Sequence, residues 1–88
     1  MPRSIQFTFD CFVEYKKWRK IDRDIAEKIE TLLLDIARDP FKGLGKPEPL
    51  KGKFQGFWSR RITQEHRLVY RIVGDVIVVH RCSGHYDD

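Results

Sequence analysis

The sequence has few of the features that define several large classes of protein. It has only two cysteines, Cys11 and Cys82, which lie far apart and lack the spacing of a zinc knuckle. This content favours a reducing setting in which both thiols are free. No apolar run approaches the roughly 20 residues that span a bilayer, and the first ten residues, MPRSIQFTFD, lack the apolar segment of a signal peptide. We therefore expect a cytoplasmic protein that makes no contact with a membrane.

Motifs for nucleotide and metal binding are also missing. The glycine-rich stretch KGLGK at residues 42–46 does not match the phosphate-loop pattern GxxxxGK[ST]. His80, Cys82 and His85 lie close together in the sequence, and the first two share one face of a predicted strand. A fourth ligand is absent, so a metal site is an unfavoured alternative. The sequence predicts neither a metal nor a cofactor.

Length and composition indicate one small folded domain. The chain has 88 residues, which we assign to a single domain spanning residues 1–88. A hydrophobic fraction of 41% with 12% aromatic residues is sufficient for a packed globule. A chain of this size buries only about 60–65% of the surface of its unfolded state, so we expect a thin core.

Positive charge is concentrated in the second half of the chain. The net charge is +4, but residues 42–71 contain eight Lys or Arg and two Glu, a local excess of +6. Aromatic residues at positions 54, 57, 58 and 70 lie among these bases. The combination suits a polyanion with stackable bases, such as RNA. A solvated basic face on an ordinary protein fits the composition equally well.

The first half of the chain predicts one strand and two helices. Alternating Ile5, Phe7 and Phe9 indicate a half-buried strand over residues 4–9. A helical spacing of aromatic residues follows over about residues 10–20, and Asp22 is predicted to cap the next helix. The second helix is amphipathic and ends before Pro40. Its apolar stripe consists of Ile25, Ile29, Leu32, Leu33 and Ile36.

The second half predicts a loop and three strands. Four glycines and two prolines mark residues 41–56 as a loop, and Gly74-Asp75 suits a tight hairpin between the last two strands. Alternation in the first strand places Trp58, Arg60 and Ile62 on one side and Phe57, Ser59 and Arg61 on the other. The predicted strands cover residues 57–63, 67–73 and 76–82. The fold class is therefore α+β, with two helices packed on a mainly antiparallel sheet in the order β-α-α-β-β-β.

One carboxylate has unusual surroundings. In KPEPLK, residues 46–51, Glu48 lies between two prolines that restrict its backbone. A stiff, solvated connector is the simpler interpretation of this segment. RNA cleavage is the alternative, because it needs a base for the 2′-hydroxyl, cations for the phosphate and an acid for the 5′-oxygen. Glu48, the pair Arg61 and Arg67, and His85 can fill these roles in that order, and the nucleophile belongs to the substrate, so no metal is needed.

Each candidate also has a structural interpretation. Arg67 could form an ion pair with Glu65 or Glu14, and His85 could be merely solvated. His66, in the turn TQEHR, suits a structural polar contact, and a supporting role in the site stays open. Trp58 and Tyr70 fit the core or an interface better than a base-stacking platform.

The ordered blocks KPEPL, FWSRRIT and EHRLVY, with the HY pair at residues 85–86, closely resemble the YoeB (Txe) toxins of bacterial type II toxin–antitoxin modules. These toxins belong to the wider RelE-like superfamily. The resemblance implies a RelE-like, microbial-ribonuclease-like fold. It also implies an endoribonuclease that cuts messenger RNA in the A site of the 70S ribosome, leaves a 2′,3′-cyclic phosphate and inhibits translation.

The same resemblance implies roles for individual residues. Glu48 would be the base, Arg67 would hold the phosphate and His85 would be the general acid. Tyr86 would support the site near the end of the chain. Lys51 and Arg61 would help to bind phosphate or substrate. Beyond the resemblance, we also expect Lys46 and Lys53 to bind RNA or phosphate.

Two departures from the family pattern lie at the end of the chain. Gly84 precedes His85, where a bulkier residue is expected, and this puts no role in doubt. Asp87 and Asp88 extend past the tyrosine with which such toxins commonly end. This acidic tail could repel RNA or favour the charged form of His85.

The resemblance also implies partners and leaves alternatives. We expect messenger RNA, the ribosome and a cognate antitoxin of the YefM/Phd type, with an acidic segment laid over residues 46–67; a homodimer stays open. One alternative is a relative of the same fold that poisons gyrase and is not a nuclease, against which Glu48 and His85 argue. The other is a catalytically silent module that binds RNA or an antitoxin.

Overall fold

The structure is a computed structural model that describes residues 2–85. The predicted role of Tyr86 and the effect of the Asp87-Asp88 tail lie outside the described residues. These residues form two α-helices, five strands and one short 3₁₀ helix. In chain order these are β1 (Ser4–Phe7), α1 (Phe9–Ile21), α2 (Arg23–Arg38), β2 (Glu48–Pro49), the 3₁₀ helix (Gly52–Phe54), β3 (Trp58–Arg61), β4 (Arg67–Val73) and β5 (Val76–Arg81).

The helices begin and end where capping side chains allow. Thr8 caps α1, because its hydroxyl accepts a hydrogen bond from the backbone N–H of Cys11 at 3.2 Å. Strand β1 therefore ends at Phe7, and Phe9, predicted as part of that strand, is a helical residue with 80% of its surface exposed. Asp22 caps α2 by accepting from the N–H of Ile25 at 3.3 Å. The predicted break between the helices is confirmed.

The sheet has five strands in the order β1-β5-β4-β3-β2. Strands β2 to β5 pair antiparallel, whereas β1 pairs with β5 in parallel. The two helices carry the chain from β1, at one edge of the sheet, to β2, at the other edge, and β5 returns beside β1. The prediction of two helices on a mainly antiparallel sheet is confirmed, and the sheet is mixed.

Strand β2 was not expected. The sequence predicted a loop over residues 41–56, yet Glu48 pairs with Ser59 and Pro49 pairs with Trp58. This strand forms an edge of the sheet, where proline is tolerated because no partner needs its missing N–H. Backbone hydrogen bonds from Arg61 to Gly45 at 2.7 Å and from residue 50 to residue 57 at 2.9 Å flank the pairing. Glu48 is therefore fixed against the sheet as well as restricted by its prolines.

The core lies between the helices and one face of the sheet. The apolar stripe predicted for α2 packs against this face; four of its five members are buried, and Ile25 is half-buried. Tyr70 is completely buried and Trp58 packs at the edge of the core, which confirms the interpretation of both residues as packing groups. No helix among residues 2–85 is both long enough and apolar enough to cross a membrane.

Candidate active site

Polar residues of strands β2, β3 and β4 come together on the open face of the sheet, opposite the helices. Glu48 lies across from Ser59, and Arg61 lies across from Arg67. Ser59 and Arg61 are two residues apart in one strand, so their side chains project to the same side. The side chains of these four residues therefore share one face, although they come from three strands.

A cleft of about 170 Å³ opens on this face. Five of the eight predicted site residues line it, two do not, and Tyr86 lies outside the described residues. The two that do not are Lys51, which caps the 3₁₀ helix, and Lys53, which lies within it; both are exposed, and Lys53 Nζ lies 5.5 Å from the centre of the Phe54 ring. The lining residues are Lys46, Glu48, Leu50, Ser59, Arg61, Arg67 and His85.

Arg67 is the best-anchored cation of the cleft, and only 9% of its surface is exposed. Its Nη1 donates to the carbonyl oxygens of Thr63 at 2.9 Å and Gln64 at 3.0 Å. Its Nη2 lies 2.9 Å from Nε2 of His85. A guanidinium can only donate, so Nε2 of His85 is the acceptor in this arrangement. Arg67 therefore connects the turn after β3 to the imidazole.

Arg67 forms neither of the two ion pairs that were predicted as its structural alternative. Among the ion pairs of the described residues, Arg67 has neither Glu65 nor Glu14 as a partner. Glu14 instead accepts from Arg81 at 2.8 Å and from the N–H of Cys82 at 2.8 Å. Within residues 2–85 no carboxylate forms an ion pair with Arg67, which leaves its charge available to an anion in the cleft.

The segment after β5 folds back toward β4 and carries His85 into the cleft. The indole N–H of Trp18 donates to the carbonyl of Cys82 at 2.9 Å, and the N–H of Arg67 donates to the carbonyl of Gly84 at 2.9 Å. Gly84 has a φ of +88°, a left-handed conformation that glycine adopts without a steric penalty. A bulkier residue at position 84, as the family pattern led us to expect, would be strained in this conformation.

Arg60 is the residue whose role the sequence did not reveal. It was counted in the basic surface, but it points toward the helices and is completely buried. Its alternation with Trp58 and Ile62 was the available signal. All five N–H donors of its guanidinium find an acceptor. These are Tyr70 Oη (from Nε, 3.3 Å), Asp35 Oδ2 and Leu44 O (from Nη1, 2.5 and 3.1 Å), and Asp39 O and Lys42 O (from Nη2, 2.7 and 3.0 Å).

The loop between α2 and β2 is built around this guanidinium. Asp35 Oδ2 also accepts from the N–H of Leu44 at 3.0 Å, and this bond together with Arg60 lowers the pKa of the Asp35 carboxyl. A Cβ atom at Gly43 would lie 2.0 Å from Asp35 Oδ2, so only glycine fits there. The loop leaves Arg60 through Lys46, a non-glycine residue at φ +52°, and enters β2. Arg60 therefore fixes the loop that carries Lys46 and Glu48 to the cleft.

The residues of the unfavoured metal hypothesis have other neighbours. His80 Nε2 accepts from Arg71 Nε at 3.0 Å, and burial together with the Arg71 charge lowers the pKa of His80. Cys82 is buried beside Cys11, and hydrogen bonding to Cys11 and burial raise its pKa. Within residues 2–85, no three His, Cys, Asp or Glu side chains are grouped so as to hold a metal ion.

Comparison with known proteins gives one family. The profile of the YoeB-like toxin of bacterial type II toxin-antitoxin system matches residues 7–86. Toxin YoeB of Streptomyces coelicolor is 50% identical over 82 residues, which is 93% of this chain and 98% of that protein.

Solved structures agree with the sequence relatives. The YoeB/ParE toxin from Agrobacterium tumefaciens superimposes with a TM-score of 0.91 at 45% identity, over 94% of this chain and 99% of that chain. YoeB from Staphylococcus aureus superimposes as a dimer (TM-score 0.89, 39% identity) and in a YoeB-YefM complex (0.87, 38%), each over 98% of this chain and 100% of theirs. The chain belongs to the YoeB-like toxins of bacterial type II toxin–antitoxin systems.

Proposed function

We propose that this toxin is an endoribonuclease that needs no metal ion and cuts messenger RNA in the ribosomal A site. One observation carries the proposal: a carboxylate, two arginines and an imidazole from four separate segments line one cleft. Internal transesterification of RNA needs a base, a cation and an acid. The nucleophile is the 2′-hydroxyl of the substrate, and arginine supplies the positive charge.

Glu48 is the general base of this proposal. It removes the proton of the 2′-hydroxyl, and the 2′-oxygen then attacks the adjacent phosphorus. The bond from phosphorus to the 5′-oxygen breaks, which leaves a 2′,3′-cyclic phosphate on one fragment and a 5′-hydroxyl on the other. The pairing of Glu48 with Ser59 and its flanking prolines support this role, since a base acts best when its position is fixed.

His85 is the general acid and protonates the departing 5′-oxygen. In the free protein its Nε2 accepts from Arg67 at 2.9 Å, so that nitrogen carries no proton there. A phosphate in the cleft gives Arg67 Nη2 an anionic acceptor in place of the imidazole. It also favours the charged form of His85, because an opposite charge stabilises an imidazolium. Substrate binding would thereby convert His85 into an acid.

Lys46 and Arg61 bind phosphate in this proposal, and Lys51 and Lys53 attract RNA from outside the cleft. The cleft is small and open, so the ribosome must supply most of the orientation of a flexible message. Such orientation can contribute about 7–11 kcal/mol when the geometry is ideal. We expect free RNA to be cut slowly and message in the A site to be cut quickly. A protein that acts on translating ribosomes works in the cytoplasm.

An antitoxin and a second copy of the chain are the protein partners that we propose. YoeB from Staphylococcus aureus forms a complex with YefM and also a dimer, and it covers nearly all of this chain. The cleft is basic, so an acidic antitoxin segment that orders on binding would cover Lys46, Glu48 and His85. Association should be fast at low salt and slower as salt screens the charges.

The proposal is tested with ribosomes programmed with a defined message. Wild-type protein should cut the message in the A site and leave a 2′,3′-cyclic phosphate, and chelation under conditions that preserve the ribosome should not stop it. The proposal fails if the message stays intact, or if the chelator abolishes cleavage while the ribosome remains active. In cells, expression of the chain alone should arrest growth, and the short open reading frame beside its gene should relieve the arrest.

A further inference from the structure

His66 is bound both to Arg67 and to the residue before His85. It lies in the turn between β3 and β4, partly buried, and is not among the residues that line the cleft. The backbone N–H of Gly84 donates to its Nδ1 at 2.9 Å. The residue before His85 is thus bound by the side chain of the residue before Arg67.

The same glycine is held a second time. Its carbonyl accepts from the N–H of Arg67 at 2.9 Å, so both polar groups of the Gly84 backbone are bound by consecutive residues, His66 and Arg67. The carbonyl of His66 in turn accepts from Arg67 Nη1 at 3.3 Å. A change at His66 would therefore alter the position of His85 relative to Arg67.

The His66 ring is fixed by its surroundings. Its plane meets the ring of Trp18 edge-on, with centroids 4.8 Å apart. Trp18 binds the carbonyl of Cys82, so one aromatic pair supports the segment at residues 82 and 84. Because Nδ1 accepts from an N–H group, the proton of the neutral ring lies on Nε2.

We propose that His66 is a positioning residue, which sets the distance between the phosphate-holding Arg67 and the acid His85 through the hydrogen bond from Gly84. The inference rests on the proposed function. His66 acts only as an acceptor at Nδ1 and transfers no proton. A side chain that offers an acceptor at the same place should therefore replace it.

Substitution of His66 by asparagine, glutamine or leucine distinguishes a positioning role from a catalytic role and from a merely structural one. Asparagine places its carbonyl oxygen close to the position of Nδ1, whereas glutamine places its oxygen near Nε2 and leucine offers no acceptor. We expect His66→Asn to keep kcat within about threefold of wild type. His66→Gln and His66→Leu should lower kcat by about 10–100-fold at unchanged KM, because a displacement of about 1 Å can cost that much.

One further measurement and one control variant complete the test. Exchange of the Gly84 amide with solvent should stay slow in the wild type and His66→Asn and become faster in the other two variants. Ile36→Val, a core substitution distant from the cleft, serves as a control for a general loss of stability and should leave kcat unchanged. These measurements are made on the full chain with programmed ribosomes.

Each outcome decides the inference. If His66→Asn is as inactive as His66→Leu while the Gly84 amide stays protected, His66 is catalytic and the positioning role is wrong. If all three variants keep wild-type kcat, the hydrogen bond is merely structural. If the wild type cuts no message at all, the proposed function fails, and Gly84 exchange alone then decides whether His66 holds the segment.

Discussion

Arg60 and Arg67 lie on neighbouring strands, yet they occupy opposite faces of the sheet and have different environments. Arg60 faces the helices, is completely buried and has an acceptor for each of its five N–H groups. Arg67 faces the cleft, where one terminal nitrogen is bound by turn carbonyls and the other meets His85. A guanidinium that the protein saturates holds the fold, whereas one that keeps a donor toward a cleft can bind an anion.

The face of the sheet on which each arginine lies determines whether it stabilises the fold or faces the cleft. Residues alternate between faces along a strand, so Arg60 pairs across from Leu68 in the core and Arg61 pairs across from Arg67 in the cleft. A shift of one residue in the register would exchange these environments. The comparison predicts that substitutions on the open face alter activity and that substitutions on the helix face alter stability.

The largest effect is expected at Glu48, the proposed base on the open face. Glu48→Ala should lower the rate of message cleavage by about 10²–10⁴-fold, the usual contribution of a positioned base. Cleavage of a programmed message under single-turnover conditions measures it. Glu27→Ala, which removes an exposed acid from α2, is the matched control and should cut normally. Equal rates for both variants would mean that Glu48 is only part of a connector.

Substitution of Arg60, the arginine on the helix face, should destabilise the fold rather than change the chemistry of the cleft. Arg60→Met leaves Asp35 without its partner and loses the contacts to the loop, so we expect it to destabilise the fold by about 3–5 kcal/mol. Urea unfolding followed by tryptophan fluorescence measures the change. Arg61→Met, one residue further along and exposed, should change stability by less than about 0.5 kcal/mol. Similar losses in both variants would contradict the assignment of faces.

Arg67→Lys, which keeps the positive charge but loses the planar guanidinium, should impair turnover. In Arg67→Lys one ammonium cannot bind the turn carbonyls and a phosphate in the same geometry. We expect a loss of about 10–100-fold, since a hydrogen bond to a charged group contributes about 1.5–3 kcal/mol. Arg71→Lys, an exposed position further along β4, should retain cleavage. Near-normal cleavage by Arg67→Lys would make Arg67 a generic cation.

The smallest effect concerns acid stability. The bonds from Leu44 and Arg60 lower the pKa of Asp35 below its ordinary value of 3.8. A group with a lowered pKa in the folded state stabilises the protein fully above its ordinary pKa, and this stability is lost as the pH falls through the folded value. The difference in unfolding free energy between the wild type and Asp35→Asn should therefore shrink below about pH 4. A constant difference down to pH 2 would show that Asp35 is not stabilised as a carboxylate.

Much of the fold followed from periodicity. The helices and the three long strands have clear apolar patterns, and the order of motifs was sufficient to predict five residues that line the cleft. Strand β2 could not be predicted, because two residues, one of them proline, carry no alternation. The burial of Arg60 depends on Asp35, 25 residues earlier in the chain, and this pairing exists only after the helix has packed on the sheet.

The position of His85 depended on backbone contacts that residue types do not show. Trp18, His66 and the N–H of Arg67 bind carbonyls and an N–H of residues 82–84, and these bonds bring the imidazole to the cleft. The sequence indicated only that a histidine and a tyrosine follow the last strand. Gly84 was noted as a departure, and its φ of +88° gives the reason for it.

Primer extension on messages from growing cells, comparing wild type with His85→Ala, tests the central claim most directly. The account predicts new 5′ ends within translated codons for the wild type, and none for His85→Ala at equal expression. Equal cleavage by both proteins would contradict the assignment of the acid. Intact messages in cells that the wild-type chain arrests would indicate an inhibitor of another target, and harmless expression of the folded chain would indicate a silent binding module.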